Sequence, residues 1–267
     1  MKLYLNIFLI ISLFFISCNN SSNTENSSDI SLEKIKSNGK IVLGLDDTFA
    51  PMGFRSTNGD IVGFDIDLAK EVASRMGVEL EIRPIDWSSA ILALNKGDVD
   101  VLWNGLTISE SRKKQISFSK PYIKNKLVLV KLSNRDDLNK KEDFKGKVIG
   151  VQVGANADTL DKDELSKISK EIRKYDVNVN AFLDLSAKRI DALAIDSIAC
   201  EYYINQNHNN FEILSYIELS EEFYGIGFRK NDTAFLDEVN RILDEMRADG
   251  IASKISEKWF GSDIMVK

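Results

Sequence analysis

The chain has 267 residues, 43% of them hydrophobic and 28% charged, with 15 Gly and only 3 Pro. That composition excludes a disordered or collagen-like protein and leaves one large domain or two of ordinary size. A formal net charge of −6 supplies no global basic field for nucleic acid or an anionic membrane, and one histidine with two cysteines leaves little for a metal site or a disulfide scaffold.

Met1 and Lys2 are followed by the apolar stretch Leu3 to Ile16, broken only by Asn6 and Ser12. At about 1.5 Å per residue this stretch is too short for a roughly 30 Å hydrocarbon core. A basic residue, a short apolar core and then small residues mark 1–17 as a secretory signal peptide. Its end, Phe15-Ile16-Ser17-Cys18, resembles the lipobox of bacterial lipoproteins, with Phe15 where Leu is usual. The resemblance implies cleavage before Cys18 and lipidation on it, with simple secretion or an uncleaved anchor as the alternatives. Residues 18–30 are expected to be a flexible tether, because Asn19 to Ser28 holds no apolar side chain. With Cys18 lipidated, Cys200 is most simply a small buried apolar residue.

From Lys40 short apolar strands alternate with amphipathic helices, the grammar of an α/β protein with mostly parallel sheet. Ile41 to Leu45 reads as a strand, and Asn58-Gly59-Asp60 as a turn before Ile61 and Val62. Asp65 to Met76 places Leu68, Ala69, Val72, Ala73 and Met76 on one helical face, with Gly77 as the stop. Val78 to Ile82, the helix Ser88 to Asn95 and the strand Val99 to Trp103 complete a first half. Leu127 to Val130 is extended, Lys147 to Val153 is a strong strand, and Leu160 to Lys174 reads as a charged helical region. Ile190 to Ile195 is a strand running into a helix at Ser197 to Asn205, and Phe223 to Phe228 is extended again. Two helices, Phe235 to Asp249 and Ile251 to Trp259, end the chain, with Gly250 between them. The absence of any low-complexity linker favours two lobes joined by two extended crossings.

Gly63-Phe64-Asp65-Ile66-Asp67-Leu68-Ala69 resembles the signature of the extracellular solute-binding proteins of polar amino acid ABC transporters. The resemblance continues in order through Trp87, Asn104 to Arg112, Phe118 to Tyr122, Gly150 to Gly154, Arg189 to Ala192 and Tyr224 to Phe228. It implies a two-lobed periplasmic-binding-protein-like fold of type II, with the ligand cleft between lobes that close about a two-strand hinge. Lobe 1 is then 31–124 with 225–267, and lobe 2 is 125–224.

Such a cleft holds a zwitterion: the carboxylate wants a planar guanidinium, the ammonium a carboxylate. By resemblance, the carboxylate-binding arginine falls on Arg112, the ammonium-binding aspartate on Asp196, and further ligand contacts on Asn104, Gly105 and Thr107. Alternatives stand beside each role: a solvated charge for Arg112, helix-entry capping for Thr107, an N-cap for Asp196. The loop after Val153 implies backbone N–H donors for the carboxylate. There the chain departs from the family, with Asn156 and Ala157 where hydroxyl and amide side chains are common; the Asn156 amide is the candidate replacement. Phe49 and Trp87 are implied as walls for the ligand side chain, whereas Trp103 fits wall or core. Asp46 ends the first strand, as a turn residue or as the partner of a polar or cationic side-chain tip. Asp65 and Asp67 read as helix N-terminal charge, and His208 as a polar surface-loop residue without a metal or catalytic role.

The expected function is capture of a polar amino acid outside the cytoplasmic membrane and its delivery to an ABC permease, by a monomeric lipoprotein of the periplasm or cell surface that needs no cofactor. Two other classes compete. An amino-acid-sensing receptor would use the same module, and a transglycosylase would need an additional glutamate-centred catalytic domain.

Overall fold

The computed structural model describes residues 29–266 except 156–159, 162, 207–209, 216 and 218; Cys18, Asn156 and His208 lie outside the described residues. Helix α1 (Ser31–Asn38) leads into β1 (Lys40–Leu45), and β2 (Thr48–Phe49), β3 (Gly53–Arg55) and β4 (Ile61–Val62) make a small antiparallel sheet. Helix α2 (Phe64–Met76) buries the apolar face that its spacing predicts, and it stops at Gly77 in the left-handed region, φ 70°. Then come β5 (Glu79–Pro84), a 3-10 turn at Trp87–Ser89, α3 (Ala90–Lys96), β6 (Val101–Leu102), α4 (Glu110–Lys113) and β7 (Ser117–Phe118).

A long strand, β8 (Ile123–Leu132), carries the chain into a second sheet. This sheet is built from β9 (Val148–Gln152), α5 (Glu164–Ile168), β10 (Glu171–Tyr175), α6 (Asn178–Ser186), β11 (Ala192–Asp196), α7 (Ser197–Gln206) and β12 (Phe211–Ile213). Strand β13 (Ser220–Tyr224) returns to the first sheet, which β14 (Gly227–Phe228), α8 (Thr233–Ala248) and α9 (Ile251–Phe260) complete.

The first sheet has the order β5-β1-β6-β14-β7 and the second β10-β9-β11-β8-β12, with β13 also on β8. Each has three parallel strands, extended by antiparallel ones. The sheets are therefore mixed rather than mostly parallel. The region 160–174 is a correction too: a five-residue helix is followed by edge strand β10, whose side chains are only half buried and carry no apolar run.

The two crossings between the sheets are β8 and β13, paired antiparallel with Tyr224 opposite Ile123. Apolar runs dictate the central strands: β1 is buried from Ile41 to Leu45, and β11 throughout. Helix α8 buries Phe235, Val239, Ile242, Leu243 and Met246, each worth roughly 1.5–3 kcal/mol on leaving water. Cys200 is wholly buried, and that burial pushes its thiol up to about 12. No helix of the described residues is long and apolar enough to cross a membrane. Functional residues are expected at the carboxyl ends of parallel strands, and here those ends are at Leu45, Pro84 and Leu102 in one sheet and at Gln152, Tyr175 and Asp196 in the other.

Candidate functional site

Loops from these strand ends meet around a cavity with about 270 Å³ of empty space, part of it open to solvent, lined by Asp46, Phe49, Trp87, Asn104, Gly105, Thr107, Arg112, Gln152 and Ala155.

The first sheet supplies a rigid wall. The Asp46 N–H donates to Asn104 Oδ1 at 3.0 Å, and Asp46 Oδ1 accepts from the Thr48 N–H and hydroxyl at 2.9 and 2.7 Å. Gly105 has φ +60°, and a Cβ there would lie 2.8 Å from Phe49 Cε1, so the loop needs glycine. The Gly105 N–H donates to Asp65 Oδ2 at 2.7 Å, and the Tyr122 hydroxyl donates to the same oxygen at 2.9 Å. Complete burial pushes the Asp65 carboxyl up to about 7 against those hydrogen bonds. Asp65 therefore anchors the cavity loop from beneath, a role beyond helix-terminal charge. Asp67, in the first turn of α2, accepts from Lys258 and the Trp259 indole of α9.

Arg112 lies on α4, capped by the Ser109 hydroxyl, which accepts from the Arg112 N–H at 3.3 Å. Its guanidinium donates to Thr107 O at 2.7 Å and reaches across to Gly154 O at 2.5 Å and Ala155 O at 3.1 Å. The Thr107 hydroxyl donates to Glu222 Oε2 at 3.0 Å, tying this loop to β13.

The second sheet closes the other side. Gln152, at the end of β9, donates to Asp46 Oδ2 at 2.7 Å, and the Tyr203 hydroxyl donates to Thr48 O at 3.2 Å. Gly154 has φ +73°, and a Cβ on it would stand 2.9 Å from Trp87 O, so the facing loops approach as closely as glycine allows. The lobes are in contact across the cleft.

Of the residues singled out from sequence, the structure brings Asp46, Phe49, Trp87, Asn104, Gly105, Thr107 and Arg112 to one cavity. Asp196 does not line it. As the last residue of β11 it pairs with Leu127 on β8, and its carboxylate accepts from the Asn125 amide. It also raises the Tyr224 phenol, which burial already holds well above its usual range. The Tyr224 ring packs against Gly105, so Asp196 stands one side chain behind the cavity wall. Trp103 is buried in the core, beside Tyr122. Sequence reading missed Gln152 and Ala155 as lining residues. The legible signal for Gln152 was a polar residue ending an otherwise apolar buried strand.

Two α/β lobes, two antiparallel crossings and a polar cavity between the lobes define a hinged ligand-binding protein. Comparison with known proteins makes the class specific: residues 41–262 match the bacterial extracellular solute-binding proteins of family 3, and the chain belongs to that family. It is 32% identical over 234 residues to the L-cystine-binding protein TcyJ of Escherichia coli (strain K12), covering 87% of each chain. It is 31% identical over 230 residues to the histidine-binding periplasmic protein of the same strain, covering 84% of this chain and 88% of that one. A crystal structure of an ABC uptake transporter substrate binding protein from Streptococcus pneumoniae with bound histidine superposes with a TM-score of 0.85 and 34% identity, over 90% of this chain and 100% of the other. The fold is thus the type II periplasmic one, and the protein is a binding protein of the transport class rather than an enzyme.

Proposed function

We propose that this chain captures a polar amino acid outside the cytoplasmic membrane and delivers it to an ABC permease, its lobes closing on the zwitterion. The observation that carries this reading is the guanidinium of Arg112 on the wall of a small cavity that both lobes line. A planar, permanently charged fork suits a carboxylate. The α-carboxylate is assigned to Arg112, with Thr107 and the loop at Gly154 and Ala155 beside it, and the Asn156 amide as a further proposed contact. The α-ammonium is assigned to Asp196, which lies on the lobe opposite Arg112, one side chain behind the cavity wall. Phe49 and Trp87 wall the side chain, and Asp46 faces its tip. Ligand contacts made by both lobes at once favour the closed arrangement.

Thermal-shift measurement against the twenty amino acids plus cystine tests this reading. A ligand at a hundred times its Kd adds about 2.7 kcal/mol of stability, a rise of about 5–10 °C for a chain of this size. A flat response across the whole panel refutes amino acid capture.

Anchoring belongs to the same proposal. A diacylglyceryl group and an amide-linked chain on Cys18 would supply the two lipid tails that stable membrane attachment requires. Cys18→Ser is expected to move the protein from the membrane fraction of its native cell to the soluble one, and persistent membrane association would exclude Cys18 as the anchor.

A further inference from the structure

We infer that Gln152 sets the side-chain selectivity of the cleft: donating to Asp46 from the opposite lobe, it leaves that carboxylate a single accepting position and so selects a neutral side chain that offers one N–H, imidazole above all, over a guanidinium. The inference rests on the reading of the cleft as an amino acid site and concerns which amino acid it takes.

An ionised carboxylate has about four lone-pair positions. The backbone and hydroxyl of Thr48 fill both positions on Asp46 Oδ1, at 2.9 and 2.7 Å. Gln152 Nε2 fills one on Oδ2, at 2.7 Å. One position on Oδ2 is left to face the cavity.

Gln152 is held in this orientation. Its second Nε2 hydrogen goes to Asp176 O at 3.0 Å, and its Oε1 accepts from Asn178 Nδ2 at 2.7 Å. Turning the amide over would put its oxygen against the Asp46 carboxylate and the Asp176 carbonyl, and its N–H₂ against the Asn178 N–H₂. The contacts with Asp46 and Asp176, which can only accept, would become repulsive, so the network itself fixes the amide. Gln152, Asn178 and Asp46 are all buried, so neither water nor side-chain motion readily supplies substitutes.

A guanidinium pairs best with two oxygens of one carboxylate. Here Oδ1 is filled, so arginine would bury N–H groups that find no acceptor on Asp46. A lysine ammonium, with three donors, meets the same shortage. The distal end of cystine brings an ammonium with three donors and meets that shortage too. A neutral imidazole satisfies the one position with its single N–H.

Titration calorimetry with L-histidine and L-arginine reads the selectivity directly, and the ratio of the two affinities on one preparation is insensitive to the fraction folded. The wild type is expected to bind histidine at least tenfold more tightly than arginine. Gln152→Met keeps the side-chain length, removes the amide and opens both positions on Oδ2, and is expected to move the ratio at least tenfold toward arginine. Asn178→Ala removes the donor to Gln152 Oε1, loosening the amide, and is expected to move the ratio the same way by a smaller factor. A wild type that prefers arginine overturns the inference, as does a ratio that stays within threefold in both variants. If histidine binds and the ratio does not move, only the role of Gln152 fails. If the wild type binds no amino acid at all, the capture reading fails with it.

Discussion

Asp65 is a carboxylate buried where its charge is costly, and the cost is spent on geometry. It receives the N–H of Gly105, a cavity residue, and the hydroxyl of Tyr122, which directly precedes hinge strand β8. Burial raises its folded-state value to about 7 from an ordinary 3.8. The native protein therefore binds a proton that the unfolded chain has lost between those values, and the stability due to protonated Asp65 is full below about pH 4 and lost as the pH rises toward 7. The span corresponds to a loss on the order of 4 kcal/mol. Asp65→Asn keeps an acceptor oxygen for Gly105 but does not titrate. In urea unfolding at pH 5 and pH 7.5, the stability of the native protein relative to the variant is expected to fall with rising pH. Parallel pH profiles for the two proteins would contradict a carboxyl shifted in this way. At this scale the sequence was only half legible: Asp65 near a helix N-terminus explains itself locally, and nothing in the string of residues announces a partner forty positions away. Gln152 was hidden for the same reason, since its meaning lies in Asp46 on the other lobe.

Elements were legible where one physical signal dominated. Strands β1, β9 and β11 are buried apolar runs, and α2, α8 and α9 carry apolar faces at helical spacing, so pattern and burial coincide. The misreading at 160–174 shows where the signal fails. Glu171-Ile172-Arg173-Lys174-Tyr175 is an edge strand held by backbone pairing to β9, and its charged side chains, exposed at Glu171 and Lys174 three positions apart, resemble a solvated helix. Strands of two residues, such as β6, β7 and β14, exist because their neighbours pair with them, which no local propensity records. The loops at the strand ends were found through their motifs, and glycine explains their shapes. A Cβ on Gly105 would collide with Phe49 of its own wall, and one on Gly154 with the backbone at Trp87 across the cleft.

At the scale of the whole molecule the two-lobed plan was legible because several motifs occur in one order along the chain, and the matched family spans 41–262. The contacts across the cleft were not, since they depend on how the lobes meet. Gln152 on Asp46, Tyr203 on Thr48 and Arg112 on the carbonyls of Gly154 and Ala155 join the lobes by polar contacts alone at these points. Phe54 adds a ring contact to Tyr202 at 5.7 Å. A ligand carboxylate arriving at Arg112 competes with backbone carbonyls for the same donors and offers a full charge in their place, which is a stronger partner for a guanidinium.

The central claim is that this guanidinium holds the carboxylate of a bound amino acid, and calorimetric comparison of the native protein with Arg112→Ala tests it most directly. Leaving a buried carboxylate without its partner costs about 3–5 kcal/mol, so affinity for the best ligand of the panel is expected to fall at least about a hundredfold. An alanine variant that binds the same ligand with near-native affinity would contradict the claim.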